Sequence, residues 1–154
     1  DLITFMVSDG LKDIDQSLYD TVVIAGMGTH TILDIVKDSP RKFKKIIIIS
    51  NNDYFELRNE MTFIGFKIVS EEVIEEKGKF YVLIVFVKGE SNLSYRDLMF
   101  GVKHVDKDAY KRYCEYLNEK YTDIYCKLKD KHADRKAMVK NFIRDVREVR
   151  DEIE

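Results

Sequence analysis

The chain has 154 residues, of which 45% are hydrophobic and 35% are charged, and its formal net charge is −2. This composition excludes a disordered or collagen-like chain, and the length suits one domain with or without a helical arm. The apolar runs are too short to span a bilayer. Two cysteines cannot form a disulfide framework or a four-ligand zinc site, which favours a reducing cytoplasm.

The chain begins at Asp1 without an initiator methionine, and residues 1–7 show no targeting pattern. Their apolar character predicts a β-strand, as if the sequence entered a domain at its middle. We therefore expect this chain to be part of a longer protein.

Short apolar runs alternate with amphipathic stretches over the first two thirds of the sequence. Strands are predicted at residues 22–25 and 46–49, with a helix at 31–36 and a turn at Pro40 between them. The four β-branched residues of 46–49 indicate a strand buried on both faces, as in parallel sheets covered by helices.

A second helix is predicted from Tyr54 to Ile64, with Asp53 as its N-cap. The order strand, helix, strand, helix predicts an α/β doubly wound sheet. Residues 66–75 and 80–87 are both strand-like and only four residues separate them, which predicts an antiparallel hairpin. Class I methyltransferase sheets end in such a hairpin and dinucleotide-binding Rossmann sheets do not, although this is an analogy between folds.

The last third has a different pattern. Apolar residues recur every three or four positions in two stretches, which predicts two helices with coiled-coil seams, at Tyr110, Cys114, Leu117, Tyr121, Ile124 and Leu128 and at Val139, Phe142, Val146, Val149 and Ile153. A short polar segment joins them, so we expect an antiparallel helical hairpin. The predicted domains are residues 1–103, the α/β domain, and residues 104–154, the arm.

Three short segments contain residues that suit ligand binding. Asp9 and Gly10, with Leu11, follow the first predicted strand, where a carboxylate and a nearby backbone N–H can reach a polar ligand. The alternative is an ordinary β-turn, because Asp-Gly is a common turn dipeptide.

The second segment is Ala25-Gly26-Met27-Gly28, at the carboxyl end of a predicted parallel strand, where open α/β sheets bind ligands. It does not match the dinucleotide fingerprint, because Thr31 occupies the position of the third glycine. That mismatch argues against a nicotinamide-dependent oxidoreductase. The alternative is a strand-to-helix turn without a ligand.

The third segment, Ser50-Asn51-Asn52, follows the next strand. An asparagine amide offers a donor and an acceptor, which suits the edge of a nucleobase. The alternative is a helix-capping loop. His30, His104 and His132 lack metal-ligand spacing, so no metal is predicted.

Together these segments resemble the bacterial tRNA (adenine-N1)-methyltransferases that modify adenine 22, the TrmK family. The resemblance covers nearly the whole chain. Its motifs are Asp9-Gly10-Leu11, the block from Tyr19 to Gly28, Asn51, the pair Leu57-Arg58, Glu71, Glu75, Gly78-Lys79, Tyr81 and Phe100-Gly101.

The resemblance implies a Rossmann-like methyltransferase fold, S-adenosylmethionine as cofactor and tRNA as substrate. It implies that Asp9, Gly10 and Leu11 lie beside the adenine of the cofactor. It also implies that Ala25, Gly26, Met27 and Gly28 line the pocket and that Asn51 orients the target base. The helical arm is expected to bind tRNA phosphates through Lys120, Lys127, Lys129, Lys131, Arg135 and Lys136.

The sequence departs from the family pattern at several positions. Thr29 stands where the family has a further glycine, Ile49-Ser50-Asn51 replaces a Gln-Pro-Asn motif, and Glu60 stands at a frequent tryptophan. The first cofactor-binding motif, which grips the methionine end of the cofactor, is absent from this chain. We therefore expect this chain alone to be inactive, and a non-catalytic interaction module remains the alternative. The arm is then a structural hairpin with solvated charges.

Overall fold

A computed structural model of the chain describes residues 3–39 and 43–153. Pro40, at the predicted turn, and the two basic residues after it lie outside the described residues. The chain divides into two compact units, one of Asp1–Glu71 and Tyr81–Lys103 and the other of Glu72–Phe80 and His104–Glu154. The tip of the predicted hairpin thus belongs to the same unit as the arm. A domain boundary at residue 103 stays a prediction.

Four strands form one mixed sheet in the order β1-β2-β4-β3: β1 (Thr21–Met27), β2 (Lys45–Ser50), β3 (Phe66–Glu76) and β4 (Lys79–Lys88). Strand β1 runs parallel to β2, and β2 runs antiparallel to β4. Strands β3 and β4 are joined by Lys77 and Gly78, which both have positive φ angles, of 50° and 74°. Such a two-residue turn suits a tight hairpin. The predicted parallel pair and the hairpin are confirmed.

Three helices belong to the first unit: α1 (Thr29–Asp38), α2 (Tyr54–Phe63) and α3 (Tyr95–Phe100). Its apolar core consists of alternate strand residues and one face of each long helix, including Ile32, Leu33, Val36, Ile46, Ile48, Leu57, Met61, Phe66, Ile84 and Phe86. The candidate ligand segments are found at the carboxyl ends of β1 and β2.

The prediction that β2 is buried on both faces is wrong. Ile46 and Ile48 are fully buried, whereas Ile47 and Ile49 are only half-buried. Successive side chains of a strand point to opposite faces of the sheet. The described elements therefore cover one face of β2 completely and the other only in part.

Asp53 occupies the predicted N-cap position of α2, but its side chain makes no capping hydrogen bond. Its backbone is left-handed, with φ 50° and ψ 51°. A capping side chain acts from an extended backbone, which directs its oxygen toward the first N–H groups of the helix. The position of the helix start was predicted, and the capping interaction was wrong.

The strand expected before Asp9 is also not observed, because residues 3–8 have no regular secondary structure. Ile3, Phe5 and Val7 are largely exposed. A strand requires a hydrogen-bonded neighbour, and none of the described strands pairs with this segment. The apolar character of this segment is therefore not sufficient for it to form a strand.

The second unit contains two long helices, α4 (Lys107–Lys127) and α5 (Ala133–Asp151). The ring centroids of Tyr121 and Phe142 are 4.3 Å apart, and Arg147 Nε donates to Asn118 Oδ1 at 2.8 Å. Contact positions thus rise along one helix as they fall along the other, so the helices are antiparallel, as expected.

Every residue of the predicted seam is buried or half-buried, and Tyr110, Cys114, Val139, Val146 and Val149 are buried. Ile143 is also buried although it lies beside the predicted positions. The apolar face of α5 is therefore wider than the two-position seam of a strict coiled coil. Coiled-coil packing stays a prediction. None of the helices in the described ranges has both the length and the apolar character needed to cross a bilayer.

Candidate functional site

Gly26 forms an irregularity at the end of β1. Ala25 pairs with Ile49 and Met27 pairs with Ser50, which leaves Gly26 as an extra residue in the first strand. Its φ angle is +80°, and apart from the glycine and its chain neighbours no atom of the described residues lies within 4 Å of the position that a β-carbon would occupy. The glycine therefore permits the bulge, and the open space lets a ligand approach the backbone at this point.

Gly28 makes room for an amide of the neighbouring loop. It precedes α1, and a β-carbon at this position would lie 3.2 Å from Asn52 Oδ1. That oxygen accepts a hydrogen bond from the backbone N–H of Thr29 at 3.1 Å. Asn52 thus satisfies a free N–H at the start of the helix.

Thr29 connects the loops that follow β1 and β2. The residue is fully buried, and its hydroxyl lies 2.8 Å from the hydroxyl of Ser50, which is also buried. The Thr29 hydroxyl also donates to the carbonyl oxygen of Asn52 at 2.6 Å. Sequence reasoning treated Thr29 as a departure from a motif and missed this network, because Thr29 lies more than 20 residues from its partners.

Asn51 is the predicted base-contacting residue. Its backbone N–H donates to the carbonyl oxygen of Met27 at 3.0 Å, and its side chain is exposed. The structure therefore brings together the ends of β1 and β2 and two of the predicted ligand segments. The amide of Asn52 is bound to the start of α1, whereas no described residue bonds the amide of Asn51.

Asp9 and Gly10 form a turn that packs on α1. The N–H of Lys12 approaches the carbonyl oxygen of Asp9 at 3.4 Å, and a β-carbon on Gly10 would lie 3.2 Å from Ile35 Cγ1. The exposed Asp9 carboxylate pairs with Lys12 Nζ at 2.6 Å. The hydrogen bond from Lys12 and its positive charge lower the pKa of Asp9. No described contact joins Asp9 or Leu11 to Met27 or Asn51.

Arg58 and Glu71, which belong to the family-like motifs, form a buried ion pair. Arg58 Nη2 lies 2.7 Å from Glu71 Oε2, and Arg58 Nη1 also donates to the carbonyl oxygen of Leu98 at 2.9 Å. The other carboxylate oxygen of Glu71 accepts the N–H of Val102 at 2.9 Å. These residues connect α2, β3 and the segment after α3, so their role is structural.

The predicted RNA-binding residues lie where α4 turns into α5. Lys127 pairs with Asp123 at 2.6 Å on an exposed surface, and Lys129, Lys131 and Arg135 are exposed. Lys136 is half-buried, and its Nζ lies 5.4 Å from the ring centroid of Tyr125. Tyr125 was not singled out from the sequence, because its position lies outside the predicted seam.

One group of possible metal ligands is present among the described residues. The ligand atoms of His30, Asp53 and Glu56 lie within 4.8 Å of one another, and His30 Nε2 is 3.7 Å from Glu56 Oε2. His30 lies more than 20 residues before Asp53 and Glu56, and its side chain is exposed. Exposed carboxylates of this kind are common without an ion, and the predicted absence of a metal stays a prediction.

The parallel β1–α1–β2 unit, the antiparallel hairpin and the polar residues at the strand ends define a Rossmann-like α/β protein. The chain belongs to the TrmK family, whose profile, described as tRNA (adenine(22)-N(1))-methyltransferase, matches residues 1–148. No curated protein matches the chain significantly.

Solved structures resemble the chain over most of its length. TrmK of M. capricolum, in complex with the cofactor product S-adenosyl-homocysteine, is 28% identical with a TM-score of 0.81, over 97% of this chain and 69% of that one. Sp1610 of Streptococcus pneumoniae is 25% identical with a TM-score of 0.83, over 93% and 67% of the two chains.

A protein of the NADB-Rossmann superfamily from Streptococcus agalactiae is 25% identical with a TM-score of 0.82, over 94% of this chain and 66% of that one. Sp1610 has also been crystallised with S-adenosyl-L-methionine. The chain thus spans about two thirds of the length of these proteins.

Proposed function

We propose that the full-length protein transfers a methyl group from S-adenosylmethionine to N1 of adenine 22 in tRNA. The proposal rests on membership of the TrmK family. Relatives crystallised with S-adenosyl-homocysteine and S-adenosyl-L-methionine support the choice of cofactor. They also favour an enzyme over a non-catalytic interaction module.

The observation that carries the proposal for this chain is the hydrogen-bonded contact between the carboxyl ends of β1 and β2. The 3.0 Å hydrogen bond from Asn51 to Met27 holds two loops side by side, next to the open space at Gly26. A site at this position suits a ligand that crosses the carboxyl ends of parallel strands. The residues present therefore fit part of a nucleoside cofactor.

Within this site, Ala25, Gly26, Met27 and Gly28 would line the place where cofactor and target base meet. Asp9, with Gly10 and Leu11, would lie beside the adenine of the cofactor, where its carboxylate can accept from an exocyclic amine. Asp9 pairs with Lys12, so adenine binding would compete with an exposed ion pair. The bound cofactor supplies a methyl group activated by its sulfonium.

Asn51 would orient the target base. N1 of adenine has a lone pair but uses it in Watson–Crick pairing, so the base must be unpaired or flipped out. Once N1 faces the methyl group, displacement depends on alignment more than on a strong base, and positioning is then the main source of rate. No general base is assigned.

The arm would hold tRNA phosphates through lysines and an arginine at its tip, and the protein would act in the cytoplasm, where its substrate is made. Both described cysteines are free, as that compartment favours. The alternative role of the arm, a structural hairpin, is separated from this one by the salt dependence of binding considered in the Discussion.

The test uses the full-length protein, an unmodified tRNA transcript and S-adenosylmethionine labelled in its methyl group. We expect label in the tRNA and a stop of reverse transcription at adenine 22, because a methyl group on N1 blocks base pairing. Label without that stop would contradict the assigned position. No label would contradict the proposed activity.

A further inference from the structure

A small cavity lies between the two helices of the second unit. Its volume is about 250 Å³, and it is lined by Tyr125, Ala133, Lys136, Ala137 and Lys140. This is slightly below the roughly 300–1,000 Å³ of pockets that enclose whole small-molecule ligands. Its size therefore suits one planar group of a larger molecule.

The walls of the cavity differ in chemistry. Tyr125 of α4 supplies an aromatic wall and is half-buried. The four other lining residues all belong to α5 at helical spacing, so they share one face of that helix. Ala133 and Ala137 are small and leave space in front of the ring.

Two ammonium groups accompany the aromatic wall. Lys136 Nζ lies 5.4 Å from the Tyr125 ring centroid, a cation–π distance. Lys140 is exposed and forms no ion pair with any described residue. A planar π system beside two positive charges is complementary to a nucleotide, whose base stacks on an aromatic ring and whose phosphate binds lysine.

We propose that this cavity binds one unpaired nucleotide of the RNA substrate, with the base stacked on Tyr125 in place of the Lys136 ammonium and the adjacent phosphate bound by Lys136 and Lys140. The proposal rests on the proposed function, because that function makes RNA the ligand. It adds a base-stacking contact to a surface that sequence reasoning treated as purely electrostatic.

The first test measures tRNA binding by the full-length protein without cofactor. Tyr125→Ala should weaken binding about 5- to 150-fold, the typical effect of losing one stacked base. Tyr125→Phe keeps the ring and should stay within about twofold. Lys140→Gln should lower the magnitude of the salt slope by about 0.7, one single-strand phosphate contact. Lys111→Gln, an exposed lysine of α4 that does not line the cavity, is the matched control.

A second test reports on stacking directly and does not require Tyr125→Ala to fold. The 154 residues of the chain include no tryptophan, so Tyr125→Trp adds a reporter at the cavity wall. A single-stranded RNA should quench its fluorescence beyond any change in the unsubstituted protein. An RNA duplex of equal length and inorganic polyphosphate should not.

Other results overturn the proposal. Equal quenching by polyphosphate would mean a phosphate site without stacking, and binding of AMP as tight as that of RNA would mean a site for free nucleotides. Unchanged tRNA affinity in both Tyr125→Phe and Tyr125→Ala would exclude the contact. If the unsubstituted protein methylates tRNA while these variants bind normally, the cavity proposal fails alone. If the unsubstituted protein binds no tRNA, the proposed function fails too.

Discussion

Gly101 lies against the carboxylate of Glu71. A β-carbon at position 101 would be 2.5 Å from Glu71 Oε2 and 2.8 Å from Arg58 Nη2. The backbone of Gly101 has φ 82° and ψ 177°, a region that is essentially restricted to glycine. Glycine is therefore required here for two reasons: the backbone conformation excludes other residues, and the buried ion pair leaves no space for a β-carbon.

Gly101→Ala should destabilise the protein by at least about 2 kcal/mol, because backbone strain adds to a clash with a buried pair that cannot move into solvent. Gly65→Ala is the control, since Gly65 has φ +93° but no described residue beyond its chain neighbours comes within 4 Å of its β-carbon position. Thermal unfolding of both variants separates strain from the clash. Equal losses of stability in the two variants would contradict a destabilising clash with Glu71.

Thr29→Val should destabilise the protein by about 1–3 kcal/mol, because it keeps the shape of the side chain but removes a buried hydroxyl and its hydrogen bonds to Ser50 and Asn52. Thr29→Ser retains the hydroxyl and should lose less. Denaturant unfolding measures both. A valine variant as stable as the parent would show that the network adds no net stability.

Asn51→Ala in the full-length enzyme should lower kcat by roughly 5- to 150-fold, equivalent to losing about 1–3 kcal/mol of contact with the base. The Kd for S-adenosylmethionine should change little. Asn52→Ala is the neighbouring control, and its main effect should be on stability, because its amide oxygen binds the N–H of Thr29. A normal kcat in Asn51→Ala would remove Asn51 from the site.

Charge reversal at Lys127, Lys129 and Lys131 should weaken tRNA binding and its dependence on salt. Each lost phosphate contact lowers the magnitude of the log–log slope by somewhat less than one unit. Lys127 already pairs with Asp123, so its share should be smaller than those of the other two lysines. Cofactor affinity should not change. A slope equal to that of the parent would make the arm a structural element.

The two cysteines should differ in reactivity. Burial raises the pKa of the Cys114 thiol to about 11 from its ordinary value of 9.0, so it stays protonated in the folded chain at pH 8. Cys126 is exposed. A thiol reagent should therefore modify Cys126 quickly and Cys114 only after unfolding.

The raised pKa of Cys114 also makes the free energy of unfolding depend on pH. Between pH 9 and 11 the unfolded chain loses the Cys114 proton while the folded chain keeps it, so rising pH in this range favours unfolding. Cys114→Ser, which does not ionise, should weaken this dependence. Rapid modification of two thiols in the native protein would contradict the burial.

Local sequence patterns were sufficient for the elements that form from neighbouring residues. The apolar runs at β1 and β2, the helical spacing of α1 and α2, and the short polar link before β4 each predicted an element and its order. The block of residues 25–28 was also placed correctly at the carboxyl end of a strand, just before a helix. These features depend on backbone conformation and on periodicity within about ten residues.

Tertiary structure decided the features that depend on a distant partner. Residues 3–7 have an apolar pattern but no neighbouring strand, so they form none. Thr29 meets Ser50 across 21 positions, and the Tyr125 wall meets Lys136 only because α5 folds back on α4. Hydrogen-bond and packing energies depend on distances in space, and a linear sequence does not specify which distant residues will be brought together.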